Sequence, residues 1–412
     1  MNLKPLVTSA AIALAFPALS HGLGTRLPDQ DADAIARGSA FTATADNPSA
    51  IYYNPAGITQ LEGLQSRLGT YAIALDVSVD LKAAGPAFDS RYGEQFVPSL
   101  FSTWKIPNSR FSIGLGTYAP FGLGLEYPDD TPFRTMAKKG SIAYLTVNPV
   151  VALKATDTLS IAGGLMINRA TAELERGVRA PGDKFHFEGD DIALGFNLGV
   201  LWQPHQMHSF GVTYRSPTTM NFEGESHLRY DGFAVPVEVA PGVVVPVDVP
   251  GVDQKESAKA QFRFPQVVTA GYSFRPTPDW NFEINVDWTD WDNLNTVTLH
   301  QQKSADIELP FNWESSFMYE FGVTRKLGNW KVSAGYIYSE NSVPNESFNP
   351  IVADSNRHVI SAGIGQEMEH LNWALAYQYA YGPSRNIDQG TVADGKYRFQ
   401  SHALSISVGL RF

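Results

Sequence analysis

The chain has 412 residues, no cysteine, 35 glycines, 49 aromatic residues as 24 Phe, 17 Tyr and 8 Trp, and a formal net charge of −11. The missing cysteines exclude disulfides and thiolate metal sites. The acidic balance argues against nucleic acid as a partner. Beyond the amino-terminus, no stretch approaches the roughly 20 apolar residues that a membrane-crossing helix needs.

The first twenty residues carry Lys4, a mostly apolar run from Leu6 to Leu19, and the small-residue end Ala18-Leu19-Ser20. A basic start, a short apolar core and small residues at −3 and −1 make a secretory signal peptide, with cleavage expected after Ser20. Residues 21–62 follow without sustained alternation and are rich in Ala, Gly, Asp and Asn-Pro turns. Ala32 to Phe41 suits a short helix. A segment of this length ahead of the first strand either dangles or folds inward, and its small residues suit the confined interior of a barrel.

From residue 63 to 412 the chain alternates. Ile192, Leu194, Phe196, Leu198, Val200 and Trp202 share one parity. Trp280, Phe282, Ile284, Val286 and Trp288 form another apolar face, opposed by Asn281, Glu283, Asn285, Asp287 and Thr289. Successive side chains of a strand point to opposite faces, and a face this polar does not suit a dry core. Short turns fall at 107–108, 156–157, 205–206, 277–279, 328–329 and 369–370. Longer connections occupy 82–91, 127–140, 177–188, 230–255, 302–312, 341–355 and 383–396. Six short turns interleaved with seven long loops predict an all-β, transmembrane antiparallel barrel of about 14 strands, with both termini periplasmic. In the loop 231–252, V-P-V-E-V and V-P-V-D-V flank Ala240-Pro241-Gly242 and predict a hairpin on the outer rim, its exposed valines a landing site for an apolar ligand or a packing surface. The last strand, Leu404 to Phe412, is apolar on alternate positions and ends in an aromatic carboxy-terminus. That pattern suits lipid on one side and a polar lumen on the other.

Gly38 to Gly57, G-S-A-F-T-A-T-A-D-N-P-S-A-I-Y-Y-N-P-A-G, resembles the amino-terminal hatch of the long-chain fatty-acid transporter family of outer-membrane proteins, which includes aromatic-hydrocarbon importers. Asn54-Pro55-Ala56 matches the family's Asn-Pro-Ala motif, and Phe111 to Tyr127 resembles its kinked third strand. The resemblance implies an outer-membrane barrel that passes hydrophobic small molecules, fatty acids or neutral aromatic compounds, without an energy source. Capture among the outer loops, an internal pocket, a hatch that moves and a sideways exit through the wall are implied with it. Asn54, Pro55 and Ala56 would seat the hatch against the kinked strand. Pro120, Phe121 and Gly122 would mark the opening, since Pro has no donor for the ladder and Gly weakens pairing. Leu23 would reach into the pocket. Arg176, in A-E-L-E-R, resembles a basic residue of the internal site and would hold a carboxylate. A second basic residue has no counterpart: the chain reads N-W-E-S-S-F around Trp313, with Glu314 where a base would be welcome. This leaves room for a neutral substrate.

The implied partners are the hydrophobic ligand, outer-membrane lipid and, through the terminal Phe412, the barrel assembly machinery. The chain is expected to act as a monomer without a cofactor or metal. Two other classes fit less well. A general diffusion porin is disfavoured by the long hatch and by the lack of basic rows facing acidic ones. A lipid-modifying enzyme would need Ser and His presented together, and the 9 His are scattered outside any nucleophile or metal motif.

Overall fold

The computed structural model describes residues 25–83, 87–91 and 94–412. The expected signal peptide, residues 1–20, and Leu23 lie outside the described residues. Fourteen antiparallel strands close into one barrel. They are β1 Leu64–Leu81, β2 Glu94–Lys105, β3 in two pieces (Phe111–Tyr118 and Gly122–Glu126), β4 Lys139–Lys154, β5 Leu159–Arg176 and β6 Lys184–His205. Next come β7 (His208–Arg215 and Thr218–Tyr230), β8 (Val252–Phe264 and Val267–Thr277), β9 (Trp280–Thr289 and Thr296–Gln301) and β10 (Ile307–Pro310 and Ser316–Leu327). β11 Trp330–Ser339, β12 Arg357–Glu367, β13 Leu371–Ile387 and β14 Gly395–Arg411 complete the wall. β14 pairs with β1 from Arg411–Gln65 to Gly395–Leu81, and the Phe412 amide donates to the Leu64 carbonyl at 2.9 Å, closing the seam.

The six short turns are where the sequence puts them. Four of the long loops are shorter than expected, because β6 begins at Lys184, β8 at Val252, β10 at Ile307 and β13 runs on to Ile387. These extensions have a physical cause. Along β6 the even-numbered residues face outward throughout, but they change chemistry. His186, Glu188 and Asp190 give way to Ile192, Leu194 and onward to Trp202. β14 repeats the change, from Lys396, Arg398, Gln400 and His402 to Leu404, Ile406, Val408 and Leu410. The strands leave the lipid between 190 and 192, and between 402 and 404, and continue into water. The lipid-facing stretch from Ile192 to Trp202 spans about 33 Å of strand, or about 25 Å along the membrane normal at the usual tilt.

Inward, the order is reversed. The outer half of the lumen carries Tyr71, Ile73, Leu75, Phe185, Phe187, Phe222 and Phe399, all buried. The inner half carries Ser99, Asn148, Asn168, Asn197, Glu283, Asn285, Asp287 and Ser407, also buried. The polar lumen expected from the strand pattern is found in the inner half, and the outer half is apolar. The polar residues of the inner half find partners in the hatch, as Glu283 and Asp287 do, or in one another, as Asn148 and Asn197 do.

That hatch is Thr25 to Glu62, almost wholly buried. The expected helix over 32–41 forms only at Ala32–Ile35, capped at its start by the Asp31 carboxylate, which accepts from the Asp33 amide at 3.1 Å. It stops because Gly38 takes φ +62° and Ser39 φ +56°, turning the chain back. Ala50–Tyr53 forms a second helical turn and Pro55–Gln60 a 3-10 turn. Small residues allow the fit. The hatch backbone at Arg37 and Gly38 lies directly on Gly322 of β10 and Gly335 of β11, where any Cβ would overlap it.

Buried ion pairs tie the hatch to the wall. Arg67 of β1 binds Asp31 through Nε and Asp33 through Nη2 (2.8 Å), and Lys331 of β11 reaches Asp33 at 3.0 Å. Arg37 pairs with Glu283 of β9 at 3.5 Å. Arg26 pairs with Asp287, two residues further along the same strand face. Buried pairs are weak sources of net stability, but removing one partner costs about 3–5 kcal/mol. They fix one register of hatch against barrel.

Candidate functional site: an apolar chamber beside a gap in the wall

The wall is incomplete between β2 and β3. Leu100 to Lys105 pair with Thr117 to Ser112. Above them β2 continues to pair with β1, from Ser99–Gly69 to Glu94–Ala74. The upper piece of β3 pairs with β4, from Gly122–Ala143 to Glu126–Lys139. Between these two edges no ladder runs among the described residues. Among the described residues they are bridged by the Gln95 side chain of β2, which donates to the Gly124 carbonyl at 3.5 Å, and near the top by the Arg91 amide, which donates to the Glu126 carbonyl at 2.8 Å. The interruption falls at Ala119 to Phe121, where Pro120 cannot donate to a ladder. This is the place singled out by Pro120, Phe121 and Gly122.

The hatch occupies the broken edge. The Gly122 amide donates to the Thr25 carbonyl at 2.7 Å, and the Leu27 amide to the Pro120 carbonyl at 2.8 Å. Arg26 and Phe121 thus form an antiparallel bridge. Thr25 to Leu27 act as a short surrogate strand. Phe121 points inward, 3% exposed, with its ring 4.9 Å from Phe264 and 5.2 Å from Tyr144.

Thr25 also lines a space of about 690 Å³ in the outer half of the lumen. Phe187, Phe222, Phe262, Phe311 and Trp313 supply its aromatic surface. Trp313 is held edge-on by Trp291, ring centres 4.8 Å apart, and by Phe311 at 5.5 Å. The one ionisable residue on the lining, Glu173, is bound to Lys139 at 2.6 Å. Such a chamber favours apolar ligands by about 0.8 kcal/mol per methylene withdrawn from water and offers a carboxylate no free cation. Directly below the tip, a second space of about 340 Å³ is polar, with Arg26, Arg215, Asp287 and Glu320 on its surface. Thr25 and Arg26 therefore stand at the boundary between an apolar room and a charged one.

The structure brings some expected residues together and separates others. Asn54 is hydrogen-bonded to β6, and the turn it opens, Pro55–Gln60, also packs on β3. The Asn54 amide donates to the carbonyls of Val200 on β6 (3.0 Å) and Thr42 (2.9 Å), and its Oδ1 accepts from the Ala56 amide at 3.2 Å. The motif caps the 3-10 turn and locks it to β6, because Gly199 leaves room for Asn54 and Pro55. Ile51, lying over Gly114 and Gly116, and Ile58 of the 3-10 turn, over Gly114, make contact with β3. Arg176 ends β5 on the same parity as Leu174 and Ala172, which is apolar and faces the lumen, not on a polar face. Its guanidinium lies 5.3 Å from the Phe185 ring centre and outside the chamber lining. Glu314 is exposed, while its neighbour Trp313 is the residue that enters the chamber. The loop 231–252 forms the expected ribbon, Phe233–Ala240 against Val243–Val249, turning at Gly242 with φ +78°.

Sequence reasoning missed Arg26, Asp287 and Glu320. The signal available was a carboxylate on the lumen-facing parity of a membrane-spanning strand, at Asp287 and again at Glu320; nothing local says which cation faces it.

A closed barrel with a lipid-facing band, a filled inner lumen and an apolar outer chamber defines an outer-membrane protein of the plugged, hydrophobe-handling class. Residues 14–412 match the family model described as outer membrane protein transport protein (OMPP1/FadL/TodX), and the chain belongs to that family, a family of transporters of the outer membrane. It is 22% identical to the long-chain fatty acid transport protein of Escherichia coli O6:H1, over 100% of this chain and 99% of that one. Its fold is similar to that of a FadL homologue of Pseudomonas aeruginosa (TM-score 0.81, 17% identity, covering 94% of this chain and 100% of that chain). It is also similar to the toluene transporter TodX of P. putida (TM-score 0.76, 17% identity, covering 94% and 99%).

Proposed function

We propose that this chain imports hydrophobic small molecules through the outer membrane passively, from the apolar chamber sideways through the gap between β2 and β3. The observation that carries the reading is Thr25. It lines the chamber and, through its carbonyl, stops the broken edge of β3. The axial route is unfavourable, because a hydrophobe moving down would have to displace the buried ion pairs of the hatch. The names of the relatives point to fatty acids and to toluene. The uncharged aromatic chamber favours a neutral ring or acyl chain; for an acid, Arg176 at the outer end of β5 is the candidate partner of the carboxylate. Residues 1–20 are read as the signal peptide, 21–62 as the hatch, with Leu23 as a candidate ligand-contacting residue, and 63–412 as the barrel. Phe412 is read as the signal to the assembly machinery, and the working unit as a monomer that performs no catalysis.

The test is Gly122→Trp. An indole cannot share a gap sized for a ring or an acyl chain. Uptake of radiolabelled toluene and oleate by cells lacking their own such transporter should fall strongly, with binding in detergent, read from quenching of Trp291 and Trp313, unchanged. A folded Gly122→Trp protein that transports normally overturns the lateral exit.

A further inference from the structure

The lumen face of β9 and β10 holds a descending series of carboxylates. Asp287 is uppermost and carries Arg26 by a two-pronged pair (Nη2 to Oδ2 2.6 Å) with Thr269 donating at 2.6 Å. Glu283 is lowest and holds Arg37, the Thr44 hydroxyl and the Ala43 amide. Glu320 stands between them. The strand register sets it opposite Asn285, one lumen-facing step below Asp287. Asn285 donates to Glu320 at 2.7 Å, and no cation lies within ion-pair distance of it among the described residues. Three carboxylates face two hatch arginines. The vacant one borders the same 340 Å³ space as Arg26, Pro28 and Asp287. The remaining cation on that space, Arg215, is engaged with Tyr52, whose carbonyl it reaches at 3.1 Å and whose ring centre lies at 4.4 Å.

We propose that Glu320 is the second station of Arg26: the hatch tip clears the gap when the guanidinium passes from Asp287 to Glu320. The step is about 6.6 Å along the strand, towards the periplasm. It is long enough to strip Thr25 and Leu27 from Pro120 and Gly122 and to draw the tip into the adjoining polar space. The guanidinium is ion-paired in both end states, and the carboxylate it leaves keeps a neutral donor, Asn285 at Glu320 (2.7 Å) or Thr269 at Asp287 (2.6 Å). This is the condition that makes the movement affordable inside a barrel. A ligand filling the chamber against Thr25 then needs only to bias two ion-paired states. The inference rests on the lateral exit proposed above, and the experiment separates the two.

Because the chain has no cysteine, Thr25→Cys gives a single thiol at the tip. It is placed in wild type, Glu320→Gln, Asp287→Asn and Gly122→Trp backgrounds, with heat-modifiable mobility as the check on folding. Toluene and oleate are the probes. Glu320→Gln removes the second station, so uptake should fall about a hundredfold, probe binding should persist, and maleimide labelling of the tip should no longer rise when probe is added. Asp287→Asn removes the first, so labelling should be high without probe. Wild-type uptake by Glu320→Gln overturns the exchange. If Glu320→Gln does not assemble, Asp287→Asn decides, and unchanged labelling there overturns it. Uptake that survives Gly122→Trp refutes the lateral exit itself. Uptake blocked by Gly122→Trp but not by Glu320→Gln refutes the exchange alone.

Discussion

Replacing Arg67 with methionine should loosen the hatch without dissolving the barrel. Arg67 is 1% exposed and donates to Asp31, to Asp33 at 2.8 Å and to Asn372 at 2.5 Å. Methionine keeps most of the volume and removes the charge. Asp33 retains Lys331 at 3.0 Å. Asp31 keeps only neutral donors, chiefly Asn47 at 3.1 Å. One buried carboxylate is thus stranded, and the cost falls at the lower end of the usual range, about 3 kcal/mol. The strand ladders are untouched, so the cost is borne by the hatch as a local opening. Three kcal/mol multiplies the open fraction by about 150. In planar bilayers the wild type should conduct rarely, and Arg67→Met should show frequent brief openings at the same applied voltage. The pair is buried, so raising salt to 1 M should not reproduce the effect in wild type, as it would for an exposed bridge. An Arg67→Met barrel with wild-type conductance would refute the view that these ion pairs hold the hatch in place.

Trp313→Ala removes the indole that Trp291 and Phe311 hold against the chamber, and should weaken toluene binding by about 1–2 kcal/mol, read by titration in detergent. Asn54→Ala should cost about 1 kcal/mol through the lost cap and unseat the 3-10 turn from β6. Uptake should drop while heat-modifiable mobility stays, whereas loss of the folded band would make the motif structural only. An epitope at Gly242 should be reached by antibody on intact cells and one at Asp157 should not, and the reverse would invert the topology. Deleting Phe412 removes the amide that closes the seam on Leu64 and should lower the yield of inserted barrel; an unchanged yield would deny the terminal residue that role.

The strand count, the turns and the sidedness were legible because period-two alternation is a local property. Leu404 to Phe412 declares a lipid face without reference to any other strand. The kink was legible for the same reason, since Pro120 forbids a ladder bond wherever the partner lies. The seat of Asn54 was not legible. Its bond to Val200 joins residues 146 apart, and the room for it depends on Gly199, which reads as an ordinary small residue of β6. The pairing of Arg26 with Asp287 spans 261 positions. A charge in an alternating strand tells that something inside must answer it, and the sequence holds 31 basic candidates.

Alternation says which way a side chain points, not what it meets there. On β6, Phe185 and Phe187 belong to the inward parity and Ile192 to Trp202 to the outward one. Read as one pattern they look like a slip in register, yet the strand is continuous and no residue is inserted. What changes is the surroundings. Below the membrane surface lipid lies outside and a polar hatch inside. Above it, water lies outside and an apolar chamber inside. A strand crossing that level must exchange the chemistry of both faces at once, so the exchange point marks the outer edge of the bilayer. It also sets the height of the ligand. The chamber begins where the outward face turns polar, and Thr25 closes the wall at the chamber's floor. A hydrophobe resting there has come in above the lipid and stands beside a gap that gives onto it, so the last step of its passage is a move sideways into a solvent it prefers.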